Sequence, residues 1–371
     1  MKTAMRGVAL AAATALALAA CASAPEESPS SSSTDSAGAS ETSTAKATDY
    51  TACIVSDAGG FDDKSFNQLS YEGTKKAAQE LGATFKEAQS DSETDFQPNL
   101  EAMVSVGCDT IVSVGFALSA ATVESALANP DLQFVLVDDA ADNDFNGEKD
   151  APNIKPLLYD TAQAAFLAGY LSAGYSKAGK VGTFGGQPYP TVTIFMDGFK
   201  QGVDYYNKVK GTDVKVVGWD GKDGSFTGGF EANDTAKATA NNIIGQGVDV
   251  LLPVGGPIYQ SARDAIADSG KDIALIGVDA DVYNTDPSVQ SLLLTSIMKN
   301  MDVSCYDTIM AAGQGNFDPT AYVGTLSNDG VGIAPLHDYK DKVDPALMDE
   351  VNKLKQDIID GTVKVTSYLN Q

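Results

Sequence analysis

The chain has 371 residues, with 25 basic against 50 acidic side chains, a formal net charge of −25 and a single histidine, His337. At 43% hydrophobic and 20% charged the composition is globular, and the length suffices for two cores. The acidic excess excludes binding along a nucleic-acid backbone, which needs surplus Lys and Arg, and one histidine excludes His-dependent triads, HExxH hydrolases and His-rich zinc sites.

Residues 1–20 carry the marks of a secretory signal. Lys2 and Arg6 supply a charged start, and Gly7 to Ala20 is apolar and built of small residues, too short to span a bilayer comfortably. The stretch ends Leu18-Ala19-Ala20-Cys21, a pattern similar to the bacterial lipobox, so Cys21 is the expected acylation site and lipid anchor of the mature chain. Residues 21–49 are rich in Ser, Thr and Ala. Such a segment buries too little apolar surface to offset its ordering entropy and reads as a disordered tether.

From Tyr50 onward short β-rich runs alternate with helical patterns. Strands are expected at Ala52–Val55, Thr110–Val114, Phe134–Val137, Val181–Phe184, Val214–Val217, Val248–Pro253 and Ala274–Val278. Apolar spacing of about 3.6 residues predicts helices over Ser65–Leu81, Asn99–Val106, Ala162–Ala173, Thr193–Tyr206, Thr235–Gln246 and Tyr259–Ser269. Ser291–Met310 reads as strand then helix, and Ala346–Asp360 as an amphipathic helix before a strand-like Val363–Tyr368. This alternation predicts parallel α/β sheets in two sets, broken near Asn153–Tyr159. The expected lobes are residues 50–157 with about 285–335, and 158–284 with about 336–371, hinged near Asn153–Tyr159 and Asn284–Ser291. Cys53, Cys108 and Cys305 are expected as small buried apolar groups, with a Cys53–Cys108 bridge as the alternative.

Ligands of such sheets bind beyond the carboxyl ends of the strands. The first strand is followed by Asp57-Ala58-Gly59-Gly60-Phe61-Asp62-Asp63-Lys64-Ser65-Phe66-Asn67-Gln68, where paired glycines allow a tight turn and Asp63 or Ser65 can cap the next helix. This stretch resembles the opening signature of the basic membrane protein family, the purine-nucleoside receptors of ABC importers. The similarity continues in order through Gly115-Phe116, Phe134–Asp138, Phe166-Leu167-Ala168-Gly169, Gly179–Gly182 with Gly185-Gly186, Gly198-Phe199, Gly277–Asp281 and Leu294–Lys299.

The resemblance implies a type I periplasmic-binding-protein fold, two doubly wound parallel-sheet lobes joined by a hinge, closing on a nucleoside for delivery to a membrane permease. It implies no catalysis and no cofactor, and a monomer is expected. Matched position by position, Phe66 stacks on the base with Asn67 beside it, and Asp138 is a polar base contact. Phe226, or Phe230 nearby, is the aromatic of the second lobe. Asp279 takes the ribose hydroxyls, Lys299 is a second sugar contact, and Asp57 and Gly256 complete the ligand-binding set. The physical chemistry of those residue types agrees: rings stack on a base at about 1–3 kcal/mol each, and an ionised carboxylate accepts two hydroxyl donors at once. Lys299 as the one lysine among the matched positions, and the lack of a GxxxxGK[ST] loop, point to an uncharged ligand.

The sequence departs from the family at Gly255-Gly256-Pro257-Ile258-Tyr259 and across Trp219–Asn233, so base preference stays open between purine and pyrimidine, with purine favoured. Phe195 and Phe199 read as core. Asp142–Gly147 matches the first half of a calcium loop, but Asn153 stands where a bidentate Glu belongs and Lys149 adds positive charge; it reads as an acidic surface loop, and no metal is expected. Two other readings are open: the same fold as a sugar or signalling-molecule receptor, and an exported nucleoside hydrolase using Asp138 and Asp139.

Overall fold

A computed structural model describes residues 49–370. The signal, Cys21 and the tether up to residue 48 lie outside the described residues. The chain runs β1 (Thr51–Val55), α1 (Phe66–Leu81), β2 (Thr84–Ala88), α2 (Phe96–Ser105), β3 (Thr110–Val114), α3 (Ser119–Ala128), β4 (Gln133–Val137) and β5 (Ile154–Tyr159). It continues as α4 (Thr161–Tyr175), β6 (Lys180–Gly185), α5 (Pro190–Lys210), β7 (Lys215–Val217), α6 (Asp234–Gly245), β8 (Val250–Val254), α7 (Ile258–Ser269), β9 (Ala274–Asp279) and α8 (Val282–Thr285). The last elements are β10 (Leu293–Lys299), α9 (Met301–Gly313), β11 (Tyr322–Gly324), β12 (Val331–Ile333) and α10 (Pro345–Ile359).

Two six-stranded sheets result, in the orders β11-β5-β4-β3-β1-β2 and β12-β10-β9-β8-β6-β7. Every ladder is parallel except β10 with β12. Central strands are buried on both faces, as helices on each side require. In β1, for example, Ala52 and Ile54 face one side, while Cys53 and Val55 face the layer formed with Phe96, Leu100 and Phe134. The structure joins Cys53 to Cys108 as a disulfide and leaves Cys305 free and buried. This overturns the expectation of three unpaired thiols: the end of α2 returns Cys108 beside β1, one residue before the Asp109 carboxylate accepts from the Thr51 amide at 2.7 Å.

Three further expectations change. Ile154–Tyr159 is a strand inside the first sheet, not a break. Its Pro156 disfavours a strand in sequence, but β11 covers only Leu157–Tyr159 and leaves Pro156 on an open edge. The segment 285–335 divides between the sheets: β10 and β12 extend the second, whereas α9 packs on α1 and β11 extends the first. Buried on both faces, β10 continues the parallel order beside β9. Val363–Tyr368 has no strand partner and forms an irregular tail over α5, with Thr366 and Gln201 hydrogen-bonded both ways.

The crossovers between sheets therefore lie at Asp160, at Asn300 and at 325–330, rather than near Asn153–Tyr159 and Asn284–Ser291. They are stitched together: Asp160 N donates to Gly324 O, Asn300 N to Gly330 O, and Leu326 N to Gln163 Oε1, at 2.8–3.0 Å.

The largest helix pairing, α4 on α5, explains two of the glycine-bearing blocks. A Cβ on Gly169 would lie 2.0 Å from the Phe199 carbonyl oxygen, and one on Gly202 equally close to that of Phe166. The backbones touch directly, so no side chain fits. Gly169→Ala is expected to lower stability by about 1–3 kcal/mol through overpacking. Gly245→Ala, with nothing near its Cβ, is expected to be neutral or mildly stabilising; urea unfolding of both variants checks the contrast.

Candidate functional site

Loops at the carboxyl ends of the strands in both sheets enclose a cavity of about 320 Å³. From the first lobe come Asp57, Asp63, Phe66, Asn67, Phe116 and Asp138; from the second come Tyr189, Phe195, Phe230, Gly256, Asp279 and Lys299.

The sheets place equivalent carboxylates. Asp138 follows β4 and Asp279 ends β9, the third strand from the same edge of each sheet. Both adopt left-handed backbone, φ 68° and 67°, a conformation that costs on the order of 1 kcal/mol for a non-glycine residue. Each turns its carboxylate toward Lys299 at the end of β10. The Lys299 ammonium pairs closely with Asp138 Oδ2 and lies 3.6 Å from Asp279 Oδ1. It also stands 5.1 Å from the ring centres of Phe66 and Phe195. All three charged groups are almost fully buried. Burial pushes the carboxyls of Asp138 and Asp279 up against the opposing pull of Lys299, with Asp279 reaching about 6.

At the other wall, Asp63 acts as the helix cap. Its oxygens accept from the Ser65, Asn67 and Gln68 amides at 2.8–3.1 Å, and burial still holds its pKa at about 6. Asn67 lines the cavity, but both its amide protons are spent, on Asp57 at 2.7 Å and Asp63 at 3.2 Å, and its Oδ1 accepts from Asp57 N. It braces Asp57, whose Oδ1 also takes the Gly59 amide at 2.9 Å. Burial raises the Asp57 carboxyl as well. Asp57 Oδ2 and Asp138 Oδ1 have no hydrogen-bond partner among the described residues.

Phe226 does not line the cavity. It pairs with Gly185 in an isolated bridge and packs edge-on to Trp219 at 6.2 Å, so it belongs to the hydrophobic layer under the loop. Phe230, the alternative to Phe226, does line the cavity; its ring lies against Gly186 and Gly255, and a Cβ on either would come within 2.4–2.7 Å of it. Trp219 is buried and donates to Asp197 Oδ1 at 2.8 Å. Tyr259 is buried beneath the loop and donates to Asp286 at 2.9 Å. Phe195, read as core, lines the cavity. Sequence reading also missed Tyr189 and the lining role of Phe116, whose rings meet across the lobes at 4.9 Å. Asp139 lies outside the lining and accepts from Ser119 and Ala141. Asp142, Asp144 and Asp150 converge in the acidic loop, where Asn146, Gly147 and Asn143 amides already occupy them.

Residues 51–368 match the family model described as Bmp, ABC transporter substrate-binding protein PnrA-like. This chain belongs to the Bmp family. Among its relatives, the ABC transporter nucleoside-binding protein BmpA of Lactococcus lactis is 29% identical, with 88% of this chain and 92% of that protein covered. A lipoprotein of Pyrococcus abyssi is 30% identical over 86% of this chain and 77% of its own. A solute-binding protein of an ABC transporter system from Aeropyrum pernix superposes with a TM-score of 0.75 at 25% identity, covering 86% and 93% of the two chains. The Bmp chain thus has the type I periplasmic-binding-protein fold. No helix among its described residues is long and apolar enough to cross a membrane.

Raised carboxyls make the site a pH-dependent load on folding. With folded values near about 6 for Asp63 and Asp279 against about 3.9 unfolded, the folded state binds more protons. Their contribution to stability is complete below about pH 4 and is lost as pH rises through about 6. Asp279→Asn is expected to flatten this slope and raise the ligand-free melting temperature at neutral pH relative to wild type. Unchanged profiles from acid to neutral pH would contradict it.

Proposed function

We propose that this protein is the lipid-anchored, extracytoplasmic receptor of an ABC importer that closes on a nucleoside, purine favoured, and presents it to a membrane permease. One observation carries the reading: Phe66 and Phe230 reach a single cavity from opposite lobes, beside carboxylates with accepting oxygens to spare. Rings from two lobes suit a flat base, each stack contributing about 1–3 kcal/mol. Asp279 and Lys299 suit the vicinal hydroxyls of ribose, Lys299 donating and Asp279 accepting. Asp57 Oδ2 and Asp138 Oδ1 offer acceptors to base N–H groups. The lipobox ending at Cys21, and the lipoprotein among the relatives, support anchoring by acylation. Asp139 faces the Ser119 turn, away from the cavity that Asp138 lines, which speaks against a hydrolase that uses these two acids as a pair.

Melting curves with adenosine, guanosine, inosine, cytidine and uridine test the reading. Ligand at a hundred times its Kd adds about 2.7 kcal/mol, a readily measured shift. A shift with a pentose or hexose and none with any nucleoside would overturn it.

The same assay separates the two phenylalanines. Phe230→Ala and Asp279→Ala are expected to abolish the nucleoside shift. Phe226→Ala is expected to lower the ligand-free melting point, through a loss of about 1–3 kcal/mol for a half-buried ring, and to keep the shift.

A further inference from the structure

Ser65 occupies the position where a helix carries its cap, yet its hydroxyl does not cap α1. Asp63 does that work from two residues upstream. The buried Ser65 hydroxyl instead crosses to the second lobe, donating to the Val278 carbonyl at 2.9 Å and lying 3.1 Å from Asp279 Oδ2. One residue earlier, left-handed backbone at Lys64, φ 61°, accompanies a second crossing: the Thr285 hydroxyl donates to the Lys64 carbonyl at 2.7 Å. Two consecutive residues of the first lobe thus bond the two ends of one segment, 278–285, of the second. None of these bonds serves the secondary structure of either lobe.

We propose that Lys64–Ser65 and Val278–Thr285 form a closure clamp, with Ser65 and Thr285 as positioning residues that hold the start of α1 against the end of β9. Its placement gives it a role beyond adhesion. Ser65 immediately precedes Phe66 and Asn67, and its acceptor Val278 immediately precedes Asp279, so the clamp sets the spacing between the stacking ring of one lobe and the carboxylate of the other. Opening the cleft would hand the same groups to water, which satisfies them. The clamp therefore acts on the balance between open and closed forms, while each lobe keeps its own packing. The carboxylate and ring assignments rest on the nucleoside reading; the clamp does not.

The test uses the full chain with Ser65→Ala and, at a half-buried position that tolerates an isosteric change, Thr285→Val. Small-angle X-ray scattering is recorded without ligand and with saturating guanosine, alongside guanosine dissociation rates and melting curves. Both variants are expected to shift the ligand-free scattering toward a more open particle. Both should release guanosine about 5–10-fold faster, in line with the loss of one neutral hydrogen bond. Scattering that superimposes on wild type in both variants overturns the clamp, including when the melting point falls, since that result marks a structural role only. If guanosine does not bind wild type, the nucleoside reading is what fails, and the ligand-free scattering still decides the clamp.

Discussion

The buried ammonium of Lys299 is the constraint on which the site depends. It lies between Asp138 of one lobe and Asp279 of the other, all three almost fully buried. Two carboxylates facing each other across a cleft would repel in a low-dielectric site, and the lobes could not approach. One shared cation converts that repulsion into attraction. Its position also matters. Lys299 is followed by Asn300, a crossover residue, and the Asp138 amide is bonded to Leu157 in β5, which leads into the crossover at Asp160. Were the cleft to open about these crossovers, the lobes would separate least here, and the charges would stay together while the Phe66 and Phe230 walls part. Removing Lys299 would leave the buried Asp138 and Asp279 without a compensating charge, which is far costlier than never having the group.

The matched strand orders explain why two carboxylates meet there. Each lobe repeats the same winding, so the turns after β4 and β9 fall at equivalent places, and both use an aspartate in left-handed backbone. Aspartate tolerates that conformation better than most side chains. The two cavity acids therefore sit where the fold already asks for a residue of this kind. Lys299 breaks the equivalence: β10 ends in a lysine, whereas its counterpart β5 ends in Tyr159, whose hydroxyl bonds Ser304. The asymmetry places a single cation against two acids.

Much of this was legible in the sequence, because strand ends can be read from short β-rich runs. Seven strands fall on or beside their expected places, and the residues following four of them, at Asp57, Asp138, Gly256 and Asp279, line the cavity. What stayed hidden depends on contacts between distant segments. Gly224-Ser225-Phe226 and Gly229-Phe230 offer no periodicity that distinguishes an inward ring from an outward one. The decision is made by Gly186 and Gly255, whose lack of side chains leaves room for the Phe230 ring, and by Trp219, which packs against Phe226. Phe195 follows helical core spacing and reaches the cavity because α5 begins at its rim. Pro156 hid β5, since the edge it needs stays open only because β11, more than a hundred residues later, stops short at Leu157.

The charge that first excluded partners also defines what this cavity selects. Asp57, Asp63, Asp138, Asp279, Glu93 and Glu231 line it against Lys299 alone. Carboxylates only accept when ionised, so a fitting ligand must bring donors: hydroxyls, ring N–H groups or exocyclic amines. A phosphate would meet repulsion from the overall field and again from the lining. The rings carry no such preference, since any flat aromatic group offers a face to stack on. On the proposed nucleoside reading, affinity and discrimination would reside in different residues. Phe66 and Phe230 would reward planar bulk, while the carboxylates would penalise a ligand that leaves their oxygens unanswered. A site built this way could relax its choice of base by changing one acid while keeping its grip through the rings.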